Sequence, residues 1–451
     1  MVQSAAPAPV DLSLAAALRR AGEVSQDRRI AASQVTAAEA QLVVSRSSGL
    51  PQLDADFSYT RTIRTPFELP AGGFSGINLP FGQKNTWIGG FNINQPVYSG
   101  GKIRAGIEAS RQSLAISQAQ AVEVDEDVKS SVVEAYFGAV LAQRLAEISR
   151  LSEEQVDLQL REARLRRDAG NASDLDVSRA EVEKENFVPE RVAALNAADV
   201  ALAKLMQILN LPAGTKVRLT DGLSPATVRP LPPAVLEEMA AGALKRRASM
   251  EAAILSISRE EAQAKVARAA LLPTLSLSAR FGAQAFPTPV MPAWADWYDD
   301  WNVGFAAKVP IFDWWRRSSQ VVMAREQVVQ VTLQRDQLVY TITLEVEQSR
   351  AEIARVLAML AARTRTVQQA EKNQELTMLS YGVGSASHLQ LTDARSSLQK
   401  ARANEVHAVH DYYIALVRMQ RAAGVPIDIS GTGSPAAVVP PPAPNPTRRS
   451  E

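Results

Sequence analysis

The chain has 451 residues, with 49 lysines and arginines against 48 aspartates and glutamates. That balance argues against a nucleic-acid binder, which carries a basic excess. There is no cysteine, which excludes disulfides, thiol catalysis, thiolate metal sites and a lipidated N-terminal cysteine in this form of the chain.

The length suits two or three ordinary domains or one elongated one. No run of about eighteen apolar residues is present, so no transmembrane helix is expected. Met1 to Val10 carries no apolar signal core, so an exported protein would stand here in its mature form. Residues 427–451 are rich in proline and alanine and read as a disordered tail.

Taken in chain order, the elements come twice. The first half reads as a helix from Leu12 to Ser48, two strands, a long helix from Ser99 to Arg167, a turn and a helix from Ser173 to Asn210. The second half gives a helix from Ala234 to Leu271, two strands, a long helix from Asp313 to Ser380, a turn and a helix from Ser387 to Ala423. Sliding the chain by 214 positions lays Pro96 on Pro310, Gly170 on Gly384, Ala180 on Ala394 and Pro212 on Pro426. Upstream an offset of 222 lays Leu50-Pro51 on Leu272-Pro273. Several landmarks in order at one offset define an internal two-fold repeat. The repeats cover 11–212 and 234–426, strand pairs fall at 51–97 and 273–311, and 213–233 is an equatorial linker.

A helix of some seventy residues spans roughly 100 Å, far beyond ordinary helices, and implies a coiled coil or a repeat. Val128, Val132, Ala135, Ala139, Ala142, Ala146 and Ser149 recur in alternating steps of four and three, as do Ile342, Val346, Ser349, Ile353, Val356 and Leu360. That period gives left-handed supercoiling. A second stripe (Val133, Phe137, Val140, Leu141) implies neighbours on both sides, as in a wall of helices. Pro189 interrupts one returning helix while its counterpart is Ala403, so a kink or break is expected in the first half only.

The strands alternate apolar and polar residues: Leu53, Ala55, Phe57 and Tyr59 against Asp54, Asp56, Ser58 and Thr60, for example. A soluble sheet with one wet face fits the period. A membrane barrel fits it better, because charges (Asp54, Asp56, Arg280, Lys308) sit mid-strand on the polar face as a watery lumen allows. Aromatics also mark both ends of the fourth strand: Trp294, Trp297, Tyr298 and Trp301 before it, then Phe312, Trp314 and Trp315 after it. The stretch from Trp301 to Phe312 covers about 25 Å of membrane depth at a 45° tilt. The connections Arg64 to Lys84 and Phe286 to Asp300 are long, Gly/Pro-rich and resemble extracellular loops. Four strands cannot close a barrel, and open edges in lipid cost several kcal/mol per unsatisfied group, so other copies must complete the sheet. The pattern leaves two or three copies open.

His407 and His410 lie three apart on a helix without a clear third ligand, and no nucleophile–histidine–acid set or phosphate loop stands out. No cofactor, metal or enzyme activity is expected.

Over Asp11 to Pro426 the chain resembles the outer-membrane efflux protein (TolC) family. The resemblance is carried by Leu50-Pro51 and Leu272-Pro273, by Asn94-Gln95-Pro96-Val97-Tyr98-Ser99-Gly100-Gly101, and by the turns Ala169 to Val177 and Tyr381 to Leu389. It implies a mainly α protein with β: a long helical coiled-coil barrel, with four transmembrane strands per protomer completing a twelve-stranded barrel in a homotrimer. It further implies a place in the outer membrane with the tunnel in the periplasm, and export of substrates received from a periplasmic adaptor and an inner-membrane pump. The pump is of resistance-nodulation-division or ATP-binding-cassette type; drug efflux and type I secretion are not distinguished. A non-conducting coiled-coil scaffold or adhesin is the rival reading.

By the same resemblance Gly170, Asn171, Ala172, Ser173, Gly384, Ser385, Ala386 and Ser387 form the adaptor-docking tip. Asp176 and Tyr381 match an aspartate and a tyrosine that tie neighbouring coils together in the closed gate. Asp393 matches one member of a ring of paired aspartates. The other member is Gln390 here, and an arginine of the gate network is replaced by Ala386. The lock is therefore expected to be weaker or differently wired, and to attract cations less. Asp54, Asp56, Arg280 and Lys308 are expected to line the lumen.

Overall fold

The computed structural model describes residues 10–64, 84–170, 172–212 and 214–427. Most of the first long loop, Asn171 and the tail beyond 427 lie outside the described residues. In chain order the elements are β1 (Val10–Leu12), α1 (Leu14–Val24), α2 (Gln26–Ser47), β2 (Gln52–Arg61), β3 (Asn85–Tyr98), α3 (Lys102–Asp168), α4 (Asp174–Ile208), β4 (Val217–Leu219), α5 (Pro233–Arg246), α6 (Ala248–Ala269), β5 (Thr274–Ala285), β6 (Trp297–Lys308), α7 (Arg316–Gly382) and α8 (His388–Ala422). Helices α3 and α7 have 67 residues each, and α4 and α8 have 35 each. The chain forms two compact units, one from Met1–Ser33, Ala119–Glu251 and Gln337–Glu451, the other from Gln34–Gln118 and Ala252–Asp336.

The first unit holds the main core. Val128, Val132, Ala135, Ala139, Ala146 and Ser149 of α3 are buried, as are Ile342, Val346, Ile353, Val356 and Leu360 of α7. These are the two series of alternating four- and three-residue steps. The second stripe is buried too at Val133, Phe137 and Val140, and Phe137 stacks on Tyr413 at 4.6 Å. The Tyr136 hydroxyl lies 3.0 Å from the Leu12 carbonyl and 2.8 Å from the Asp221 carboxylate, and accepts from the Asp221 amide. Burial pushes this phenol up to about 12.

One expectation fails here. The entry helix of each half is broken: at Ser25, with ψ 127°, between α1 and α2, and at Arg247, with ψ 124°, between α5 and α6. Neither site holds glycine or proline. At each break one residue turns extended and the helix restarts on its carbonyl, through Arg29 N–H to Ser25 O and Glu251 N–H to Arg247 O. Arg247, only 8% exposed, reaches Glu123 and Glu345, so a buried charge is compensated on two sides. Helix α4 continues across Pro189. The linker 213–233 contains β4, which pairs in parallel with β1; three-residue strands are too short to show a period.

In the second unit β2, β3, β5 and β6 form one antiparallel sheet in that order. The register aligns rows across all four strands. One row is Asp54, Asn92, Arg280, Asn302 and the next on the same face is Asp56, Gly90, Gly282, Asp300. The opposite face carries Leu53, Ile93, Ala279, Val303 and Ala55, Phe91, Phe281, Trp301. β6 starts at Trp297, four residues before Trp301, so Trp297 and Tyr298 are part of the strand. The shortened loop is pinned over the sheet end: the Asn85 amide donates to the Thr288 and Pro289 carbonyls, and the Trp87 indole to that of Val290.

The apolar face is bare. Leu53, Phe57, Phe91, Trp301, Val303 and Phe305 are between 56% and 71% exposed. Covering a side chain of this size is worth about 1.5–3 kcal/mol, so a contiguous face of them calls for an apolar surrounding. Among the described residues the edge strands β2 and β6 have one unpaired side each.

The two turns from sheet to long helix share a hydrogen-bond pattern. Lys102 N–H donates to Ser99 O, Ile103 N–H to the Ser99 side chain and Ala105 N–H to Gly101 O. Arg316 N–H donates to Asp313 O, Arg317 N–H to the Asp313 carboxylate and Ser319 N–H to Trp315 O. The first turn uses Gly100 and Gly101 at φ 62° and 84°; the second places Trp314 and Trp315 at φ 54° and 60°. The left-handed region costs a side-chain-bearing residue roughly 1–2 kcal/mol.

Candidate functional site

The site residues anticipated from sequence fall at two places. At the tip of the first unit, the turns after α3 and α7 hold Gly170 and Gly384 at φ 78° and 75°. Nothing lies within 4 Å of a Cβ built on either glycine, so the positive φ of a sharp reversal, not crowding, selects glycine. Ser173 caps α4 and Ser387 caps α8. The Asp176 carboxylate accepts from the Ser173 amide at 3.1 Å and hydroxyl at 2.8 Å, while the Asp176 amide donates to Ser173 Oγ. Gln390 does the same for Ser387: its Oε1 accepts from the Ser387 amide at 2.8 Å and its amide donates back. Both are capping boxes, which satisfy two otherwise orphaned amides each. The exchange of carboxylate for carboxamide thus keeps the cap and removes a charge. Asp393 stands exposed one turn further along α8, on the face of Gln390.

Tyr381 lies under the Arg166 guanidinium, 4.9 Å from ring centroid to Cζ, a cation–π contact from α3 to α7. Thr392 donates to Glu183 at 3.5 Å, joining α8 to α4. Sequence reasoning missed Arg395. It lines a cavity of about 560 Å³ with Glu183, Thr392, Phe187 and Gln399. Its Nε and one terminal nitrogen are buried without a hydrogen-bond partner. Burial lowers its pKa, while Glu183, Glu162 and Tyr381 work the other way; a guanidinium stays charged regardless. A lone arginine on a polar helix gives no sequence signal. Only the fold turns it inward.

On the polar face of the sheet Arg280 grips Asp56 with both terminal nitrogens at 3.1 Å, Asn92 at 2.9 Å and Asp300 at 3.3 Å. Asn92 also donates to Asp56, and Gln284 to Asp300. In the row joining Asp56 to Asp300, the two middle strands carry only Gly90 and Gly282. A Cβ on Gly90 would come within 2.7 Å of the Gly282 Cα, so the backbones approach there as only glycine permits. Asp54, Asp56 and Arg280 thus share one face of the sheet, and Lys308 lies on it at the far end of β6 opposite Thr274. Among the described residues no group of three or more histidines and carboxylates is placed to hold a metal ion.

The architecture of two helical hairpins and a four-stranded sheet matches solved outer-membrane channels. The Campylobacter jejuni CmeC channel aligns at a TM-score of 0.78 and 18% identity over 93% of this chain and 86% of that one. The open-state Neisseria gonorrhoeae MtrE channel aligns at 0.74 and 19% identity, over 91% and 89%. Identity this low establishes the fold alone. Outer membrane efflux protein BepC of Brucella suis is 23% identical over 409 residues, 90% of this chain and 81% of that protein. TolC of Escherichia coli is 23% identical over 389 residues, 84% and 75%. The model of the outer membrane efflux protein family matches residues 17–211 and 240–425, and the chain belongs to that family. It is an outer-membrane channel of an efflux system.

Proposed function

We propose that three copies of this chain close a twelve-stranded barrel in the outer membrane, continued by a periplasmic tunnel of the long helices. Each copy supplies two versions of one repeat. The bare apolar face of the β2–β3–β5–β6 sheet, with unpaired edges at β2 and β6, carries the reading. Lipid covers the face, and identical neighbours pair the edges. Asp54, Asp56, Arg280 and Lys308 then face the lumen.

The tips docking the adaptor are Gly170 to Ser173 and Gly384 to Ser387. Asp176, Tyr381, Gln390 and Asp393 form the closed gate, in which Asp393 is the acidic layer and Gln390 a neutral one. An inner-membrane pump of resistance-nodulation-division or ATP-binding-cassette type supplies the energy. Trimeric material added to planar bilayers is expected to give discrete conductance steps. Trimers that never conduct would leave the scaffold or adhesin reading standing instead.

A further inference from the structure

The two sheet-to-helix turns differ in one respect that bears on how copies meet. Gly100 packs closely: a Cβ there would lie 2.7 Å from the Leu272 Cβ and 2.9 Å from the Ala269 carbonyl oxygen. Its matched residue, Trp314, carries an indole in the same left-handed conformation and is 78% exposed. The partner of Gly100 is the end of α6, where Leu272 N–H donates to Ala269 O at 3.1 Å. The same turn occurs at the end of α2, where Leu50 N–H donates to Ser47 O at 2.9 Å and Leu50 is 59% exposed. Within one chain, then, the turn after β3 is seated on the turn before β5, its neighbouring strand. At the two outer edges of the sheet, the turn before β2 rests on Gln95 and Ile103 through Gly49 but leaves Leu50 exposed, and the turn after β6 leaves Trp314 exposed.

We propose that Trp314 packs on the Ser47–Leu50 turn of a second copy, across the seam between β6 of one protomer and β2 of the next. This rests on the proposed ring of identical copies. The repeat supplies the pairing: what α6 and β5 do for Gly100 inside a chain, α2 and β2 of the next copy do for Trp314. A side chain cannot enter the Gly100 junction, so the seam between copies is wider there than the junction within a copy, and the indole fills the difference. Trp315 takes no part. Its match, Gly101, has nothing within 4 Å of a built Cβ, and Trp315 faces lipid.

The absence of cysteine makes the test direct. Trp314→Cys combined with Leu50→Cys, oxidised in outer membranes, is expected to link copies into covalent trimers on non-reducing gels. Trp315→Cys with Leu50→Cys is expected to stay unlinked. Trp314→Gly alone is expected to lower the temperature at which the detergent-solubilised trimer dissociates. Trimers that form but link at neither Leu50→Cys nor Ser47→Cys overturn the seam contact, as does a Trp314→Gly trimer that dissociates at a higher temperature. A wild-type chain that is monomeric overturns the ring itself, which is a different result.

Discussion

The two helical hairpins of the first unit match in length to the residue and are capped alike, yet they are fastened differently. Between α3 and α4 run Arg164–Glu181, Lys184–Asp157 and Arg191–Glu153, at 2.6–2.8 Å. Between α7 and α8, among the described residues, the ion pair is Arg402–Glu371 at 2.9 Å. The buried seams differ too: Ala139 of α3 stands where α7 has Ile353. Small residues bring α3 close to its neighbours, and charges lace its hairpin. The α7 seam relies on bulkier side chains. Exposed pairs contribute little individually, so the ladder fixes register more than stability.

The largest expected effect breaks this contrast in the core. Ile353→Ala opens a cavity and is expected to cost about 2–5 kcal/mol, whereas Ala139→Leu overpacks the close seam and costs about 1–3 kcal/mol; thermal melting of the purified protein measures both. Equal small losses would mean the seams are equally loose. Next, Asp176→Ala with Tyr381→Phe is expected to loosen the closed tip and raise single-channel conductance, and unchanged conductance would remove these residues from the gate. Ser173→Ala and Ser387→Ala each remove a cap worth about 1 kcal/mol; hydrogen exchange at the first turns of α4 and α8 reads the loss, and a loss confined to one hairpin would sharpen the asymmetry.

The smallest effect concerns pH. Lys184 beside Asp157 holds that carboxyl below its ordinary range. A depressed folded pKa means the pair stabilises fully above the ordinary aspartate range and fades as pH falls through the lowered value. Asp157→Asn is therefore expected to flatten the acid limb of a melting-temperature profile slightly. A variant profile that overlays the wild type at every pH would show that the pair contributes nothing.

Much of this was legible in the residues. Alternation gave the faces of all four strands, and the alternating helical steps gave the buried seams, because burial of one face leaves a strict period. The helix breaks at Ser25 and Arg247 were not legible, since each rests on a single extended residue held by tertiary contacts. Pro189 removes one donor, and α4 continues across it. Asp176 and Asp393 could be picked out only by resemblance, and the cap that Asp176 shares in form with Gln390 needed coordinates. Arg395 reads in sequence as one more solvated charge. The left-handed Trp314 and Trp315 read as aromatic punctuation, because side-chain size says nothing of φ.

The two raw edges of the sheet also constrain biogenesis. A single copy cannot rest in a bilayer with a row of amides open to hydrocarbon, nor keep the greasy face of its strands in water for long without aggregating. In the proposed ring of copies, pairing of the edges and entry into lipid are therefore coupled, because neither alone satisfies the edge amides.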